Sequence, residues 1–162
     1  MNVKRIAIAI GVSIFFIGCQ SKKSDDTKTP LVEIKTTMIQ DTIPFTIAQN
    51  YFVKNTVEAI ENPKIETEAA FNSYFGAATT MGNNGKPTAV DFTKEFAIAI
   101  VLPKTDNATT IQPVALKKDA NHSLVFEYKV AVGDKQSYTS RPFLLVLVDK
   151  KWEGQVRLKR IE

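Results

Sequence analysis

From Leu124 to Val130 every second position is apolar (Leu124, Phe126, Tyr128, Val130), and Glu127 and Lys129 lie between them. A period of two belongs to a strand with one face buried. Phe96 to Leu102 and Phe143 to Val148 are apolar without interruption, the pattern of strands covered on both faces. Ile111 to Leu116 reads as another strand, and Pro113 within it removes an amide donor, which places it at a sheet edge or a bulge. Val156 and Leu158 alternate with Arg157, Lys159 and Arg160 and give a last strand with a basic outer face. Upstream, Phe45, Ile47, Tyr51 and Val53 share one parity and predict a strand that Gln49 interrupts. Asn62-Pro63 then breaks the chain, and Thr67 can N-cap a helix from Glu68 to Phe75, with Phe71 and Phe75 one turn apart and Gly76 as its stop. Thr79 to Thr88 contains Gly82-Asn83-Asn84-Gly85 and Pro87 and reads as a loop. Short connections favour antiparallel neighbours. The expected fold is α+β: a mainly antiparallel β-sheet of about six strands with one short helix packed against it.

The start of the chain follows a different pattern. Lys4 and Arg5 precede an apolar run from Ile6 to Ile17, which ends at Gly18-Cys19. A positive start, an apolar run of about a dozen residues and a small residue at the cut site make a secretory signal. The run is shorter than the roughly 20 residues that cross a bilayer. Phe16-Ile17-Gly18-Cys19 resembles the lipobox of bacterial lipoproteins, with Phe16 where that family usually has Leu. The resemblance implies cleavage after Gly18 and acylation of Cys19, so that outer-membrane lipid holds the mature chain. The alternative is a plain secreted protein whose cysteine has no role. Gln20 to Gln40 is rich in Ser, Lys, Thr and Asp and reads as a flexible tether, although Val32 and Ile34 could add a short strand. The expected organisation is therefore a lipoprotein signal peptide over 1–18, a tether over 19–40 and a single β-rich domain over 41–162. Asp25-Asp26 do not directly follow Cys19, which favours the outer membrane. The polar stretch that they end resembles the export signal of Bacteroidota-type surface lipoproteins and leaves the domain surface-exposed or periplasm-facing. Asp41-Thr42-Ile43 resembles the O-glycosylation motif of the same bacteria, with Thr42 as acceptor; an ordinary turn before Pro44 reads equally well.

Composition narrows the chemistry. Cys19 is the only cysteine and His122 the only histidine, so a disulfide framework, a Cys-x-x-Cys site and a Ser-His or Cys-His nucleophile are all poorly supplied. His122 falls in the polar run Asp119-Ala120-Asn121-His122-Ser123, a turn between two strands. Zinc needs about three or four His, Cys or carboxylate ligands, and no calcium-loop spacing occurs. Seventeen acidic residues guarantee chance carboxylate pairs, so pairing alone does not point to a glycosidase. The Gly82–Lys86 run lacks the spacing of a phosphate loop. The expectation is a non-enzyme without metal or cofactor. Net charge is +4, with Lys150, Lys151, Arg157, Lys159 and Arg160 as the one basic cluster. In the envelope such a cluster does not call for nucleic acid; it could touch anionic lipid headgroups or sugars, or, on an edge strand, deter aggregation.

Binding is the remaining class. Gly133 to Pro142 joins two strands and is longer than a tight hairpin needs, and long loops on rigid sheets carry binding residues. Lys135, Gln136, Tyr138 and Arg141 are its candidate partner contacts, Tyr and Arg being common at interface hot spots. The alternative is that Tyr138 folds onto the sheet end and Arg141 caps a carbonyl. Trp152, together with Tyr138, could serve as a glycan platform, or pack on the strand ends.

The succession Val90-Asp91-Phe92-Thr93-Lys94-Glu95-Phe96, then Ile111-Gln112-Pro113-Val114, Leu124-Val125-Phe126-Glu127-Tyr128 and Thr139-Ser140-Arg141-Pro142-Phe143-Leu144-Leu145-Val146 resembles the C-terminal domain of protease-complex-subunit (PrcB-type) lipoproteins. That family usually carries Thr-Gly-Gly-Tyr before the second of these strands, where this chain has Asn107-Ala108-Thr109-Thr110. The resemblance implies an accessory, non-catalytic protein that associates with or inhibits a protease. A glycan- or ligand-binding accessory lipoprotein is the other reading.

Overall fold

Residues 42–79, 81 and 85–162 are described by a computed structural model and belong to one compact unit. Gly18, Cys19, the segment expected to be a tether with Val32 and Ile34, and Gly82 to Asn84 lie outside them.

The elements run β1 (Thr46–Ile47), β2 (Tyr51–Val53), β3 (Lys64–Ile65), α1 (Glu68–Tyr74), β4 (Phe75–Ala77), β5 (Glu95–Val101), β6 (Thr105–Lys118), β7 (Leu124–Ser140), β8 (Phe143–Asp149) and β9 (Val156–Arg160). They form a four-stranded sheet in the order β1-β8-β5-β3, a three-stranded sheet β6-β7-β9 and a small pair β2-β4. The fold is α+β and mainly antiparallel, as the alternation predicts. Among the described residues it has nine strands in three sheets, more than the about six expected, because several edge strands are two or three residues long.

β5 and β8 are the uninterrupted apolar runs, and both of their faces are buried. Phe96, Ile98 and Ile100 of β5 and Leu144, Val146 and Val148 of β8 join Leu116, Leu124, Phe126 and Ile43 in one core between the two larger sheets. The opposite parity, Ala97, Ala99, Leu145 and Leu147, meets Phe71 and Phe75 in a second core. Small alanines on β5 leave room for those rings, which lie 5.3 Å apart.

β5, β6, β7 and β8 form one long hairpin folded in half. Its tip is the Asp119–Ser123 turn, where Asp119 Oδ1 accepts from the amides of Asn121 and Ser123, both at 2.9 Å. Lys118 pairs with Leu124, and the ladder runs back through Ile111–Val130 to Thr105–Ser140. It then crosses a bend, where Leu102 N–H donates to Pro142 C=O at 2.9 Å, and continues as Val101–Phe143 to Glu95–Asp149. A proline stands on each strand of the bend, Pro103 and Pro142; lacking amide hydrogens, neither can continue a ladder as donor. The two halves close on the first core like a sandwich.

Several local expectations change. The single strand over Phe45–Val53 is two strands, β1 and β2, because Asn50 adopts φ +62° between them. α1 is N-capped by Thr67, whose Oγ1 accepts from Ala70 N–H at 3.2 Å. Its C-cap is Phe75, and Gly76 does not stop it but continues directly into β4. β6 is an edge strand with an extra residue, Val114, beside Pro113. β9 is also an edge, but it runs parallel to β7. Parallel neighbours need a crossover; here β8, in the other sheet, is the crossover. Finally, the expected loop Gly133–Pro142 is strand as far as Ser140.

Candidate functional site

Two surfaces gather charge or exposed apolar side chains. The first is the outer face of the β6-β7-β9 sheet. Glu127 on β7 lies beside Lys159 of β9 in register, and Lys117 reaches it from β6. Lys117 Nζ is 2.8 Å from Glu127 Oε2, and Lys159 Nζ is 2.9 Å from Oε1. Arg157 pairs with Asp119. These groups line a groove of about 430 Å³. Lys117, followed by Lys159, holds the Glu127 carboxyl below its ordinary value. Asp119 is also lowered, first by the Ser123 amide. Each cation here already faces a carboxylate, so the ladder ties three strands together and leaves little charge for a ligand.

The second surface is the bend. Between Asn107–Lys135 and Thr105–Ser140, β6 has the single residue Asp106, whereas β7 has Gln136, Ser137, Tyr138 and Thr139. Such a bulge turns side chains away from the ladder. Lys135 Nζ holds Asp106 at 3.0 Å at its foot. Gln136 Nε2 donates to the Tyr138 hydroxyl at 2.9 Å, and Tyr138 stays 60 % exposed. A groove of about 400 Å³ lies at the bend, lined by apolar Leu102, Pro103, Val130, Val132 and Pro142, by Lys104 and Arg160, and by polar Thr105, Asn107 and Thr109 of β6. A second groove of about 360 Å³, which shares Lys104 with the first, includes Phe52, Thr139, Arg141 and Phe143.

The structure thus brings together three of the four sequence candidates, Lys135, Gln136 and Tyr138, as a bulge in a strand rather than a loop. The length of the polar run was a true signal of irregularity, but its backbone still pairs with β6 at both ends. Arg141 belongs to a different relationship. Its Nη1 donates to Glu58 C=O at 2.7 Å, its Nη2 lies 3.3 Å from Glu58 Oε2, and its side chain is only 9 % exposed. It caps a carbonyl and braces two segments. Trp152 is half-buried against the first core, its Nε1 enclosed without a hydrogen-bond partner and Lys151 Nζ 5.8 Å from its ring. Thr42 is exposed and its backbone bridges to Lys117 at the β6 edge. His122 sits in the tip turn with φ +61°.

Sequence reasoning missed Lys104, Val132 and Phe52. Val130 and Val132 continue the alternation that begins at Leu124, which was the available signal for a strand reaching past the core. Among the described residues, no three of His, Cys, Asp and Glu lie close enough to hold a metal ion, and no helix is long and apolar enough to cross a membrane. No family model, curated protein or solved structure matches the chain.

Proposed function

We propose that the chain is a lipoprotein held at the outer membrane through acylated Cys19, and that its β-rich domain is a non-catalytic module that binds a partner protein. The resemblance to protease-complex subunits suggests a secreted protease as that partner. The observation that carries the reading is the Gln136–Thr139 bulge, which presents an exposed tyrosine on a ladder anchored at both ends. A rigid aromatic held this way loses little conformational entropy on binding and offers a large contact area. In this reading the Arg141 guanidinium, turned onto Glu58, braces the bend rather than meeting the partner.

A photo-crosslinking residue at position 138, in membranes of producing cells, is expected to trap one discrete partner. Tyr138→Ala in the tagged chain is expected to reduce recovery of that partner by tenfold or more, a hot-spot loss of at least about 1.4 kcal/mol. Equal recovery from the Tyr138→Ala chain would remove the bulge from the account.

A further inference from the structure

Resting on the reading above, we infer that the groove on the β9 side of the bend takes an extended peptide segment of the partner, rich in carboxylates beside apolar side chains, which adds to β7 as a strand where β9 ends.

The first support is an open edge. β9 pairs with β7 only from Leu124–Val156 to Tyr128–Arg160, and the Ile161 amide makes a last bond to Tyr128 C=O at 2.8 Å. By the two-residue period of a strand, Val130 and Val132 turn their backbone groups to the same side as Tyr128. Ile161 and Glu162 carry the chain just past Tyr128, and beyond them no strand among the described residues pairs with this side of β7. An unpaired edge in line with a strand that has just ended is a template for strand addition.

The second is the apolar lining. Val130, Val132, Leu102, Pro103 and Pro142 line the groove that starts at Arg160, the final residue of β9. Val132 is 62 % exposed. At about 400 Å³ the groove falls within the volume range of ordinary ligand clefts, and alternate side chains of an added strand would point into it.

The third is charge. Lys104 and Arg160 line the groove, and no carboxylate does. Neither cation has an ion-pair partner among the described residues. On the outer face of the same sheet, Lys117, Arg157 and Lys159 are all paired. The contrast selects this groove for an anionic occupant. The unpaired backbone beside it selects an extended peptide over a free anion or a lipid headgroup, neither of which reads a strand edge.

The test uses the full-length chain in non-ionic detergent and a fluorescein-labelled Glu-Val-Glu-Val-Glu-Val peptide, read by fluorescence polarisation. Binding is expected, weakened roughly five- to tenfold by Arg160→Ala or Lys104→Ala and abolished by both. Both residues are exposed, so circular dichroism of the variants should match the parent. The same peptide with alternate backbone nitrogens methylated should not bind, and a Lys-Val peptide should not bind. Absence of binding by the Glu-Val peptide, indifference to both substitutions, or equal binding of the methylated peptide would each overturn the inference. Preference for anionic lipid vesicles over the peptide would overturn it in favour of a membrane surface. If peptide binding fails while Tyr138-dependent crosslinking persists, only the groove is wrong; if crosslinking fails while the peptide binds, only the bulge is.

Discussion

The Arg141 guanidinium reaches the main-chain carbonyl of Glu58, 83 residues earlier, at 2.7 Å. It pins the segment after β2 against the bend between β7 and β8. Glu58 itself is largely exposed, so the carbonyl bond matters more than the ion pair. Arg141→Ala leaves that carbonyl without its charged donor and is expected to lower stability by about 1.5–3 kcal/mol. Arg141→Lys should recover only part of it, since an ammonium cannot reproduce the two-pronged contact. Urea unfolding of the three proteins measures this, and equal midpoints for all would dismiss the brace.

Phe52 lies flat over Gly76, its register partner across β2 and β4. A Cβ at Gly76 would stand 2.3 Å from the Phe52 Cζ atom. Phe52 is 48 % exposed and its ring can turn aside, so Gly76→Ala is expected to destabilise by only about 1 kcal/mol, the low end for overpacking. In the Phe52→Ala background the same change should cost far less, because the clash has gone. A double-mutant cycle with a coupling energy near zero would contradict the arrangement.

Glu127 titrates below the ordinary glutamate value of 4.5, through Lys117 first and Lys159 second. A carboxyl lowered on folding adds stability that is fully present above its unfolded value and is lost as pH falls through its folded one. The chain should therefore lose stability below about pH 4.5, and Glu127→Gln should flatten that acid limb. At neutral pH the substitution is expected to cost about 1 kcal/mol. Thermal melts between neutral and acid pH decide it; parallel curves for the two proteins would be the wrong result.

Gly154 has φ +154°, and a Cβ there would come 2.6 Å from the carbonyl oxygen of His122. This glycine lets the turn before β9 pass under the hairpin tip. Gly154→Ala is expected to cost about 1–3 kcal/mol and to raise hydrogen exchange in Val156–Arg160 above that in β5. Uniform exchange throughout would argue against a local role.

How far the sequence revealed this fold follows from which interactions are local or strongly patterned. β5 and β8 were legible because both their faces are buried, and Leu124–Val130 because one face is. Thr67 showed as a cap from its type and its place before the helix. The parallel pairing of β9 was not legible: Val156 and Leu158 have the same alternation beside either neighbour, and direction depends on β8 crossing in the other sheet. The far half of β7 was hidden for a different reason. From Gly133 to Ser140 it packs on neither core, so no apolar period marks it. The candidate site shared that fate. Tyr138 stood out by type, whereas Lys104 and Arg160 converge only when the hairpin bends.

The folded hairpin also bears on how the molecule assembles. The ladder from Lys118–Leu124 to Glu95–Asp149 can close pair by pair from one small turn, so each new contact needs only a short loop to be ordered. β1, β3 and β9 must instead arrive from distant parts of the chain. Asp119, which ties the tip through the amides of Asn121 and Ser123, then sits in the nucleus, and Arg157 outside it. Asp119→Ala should chiefly slow refolding, and Arg157→Ala chiefly hasten unfolding. The order in which the zip runs leaves the Glu95–Asp149 end as the last part of the ladder to lock and the first to fray, with the bend already closed on both sides.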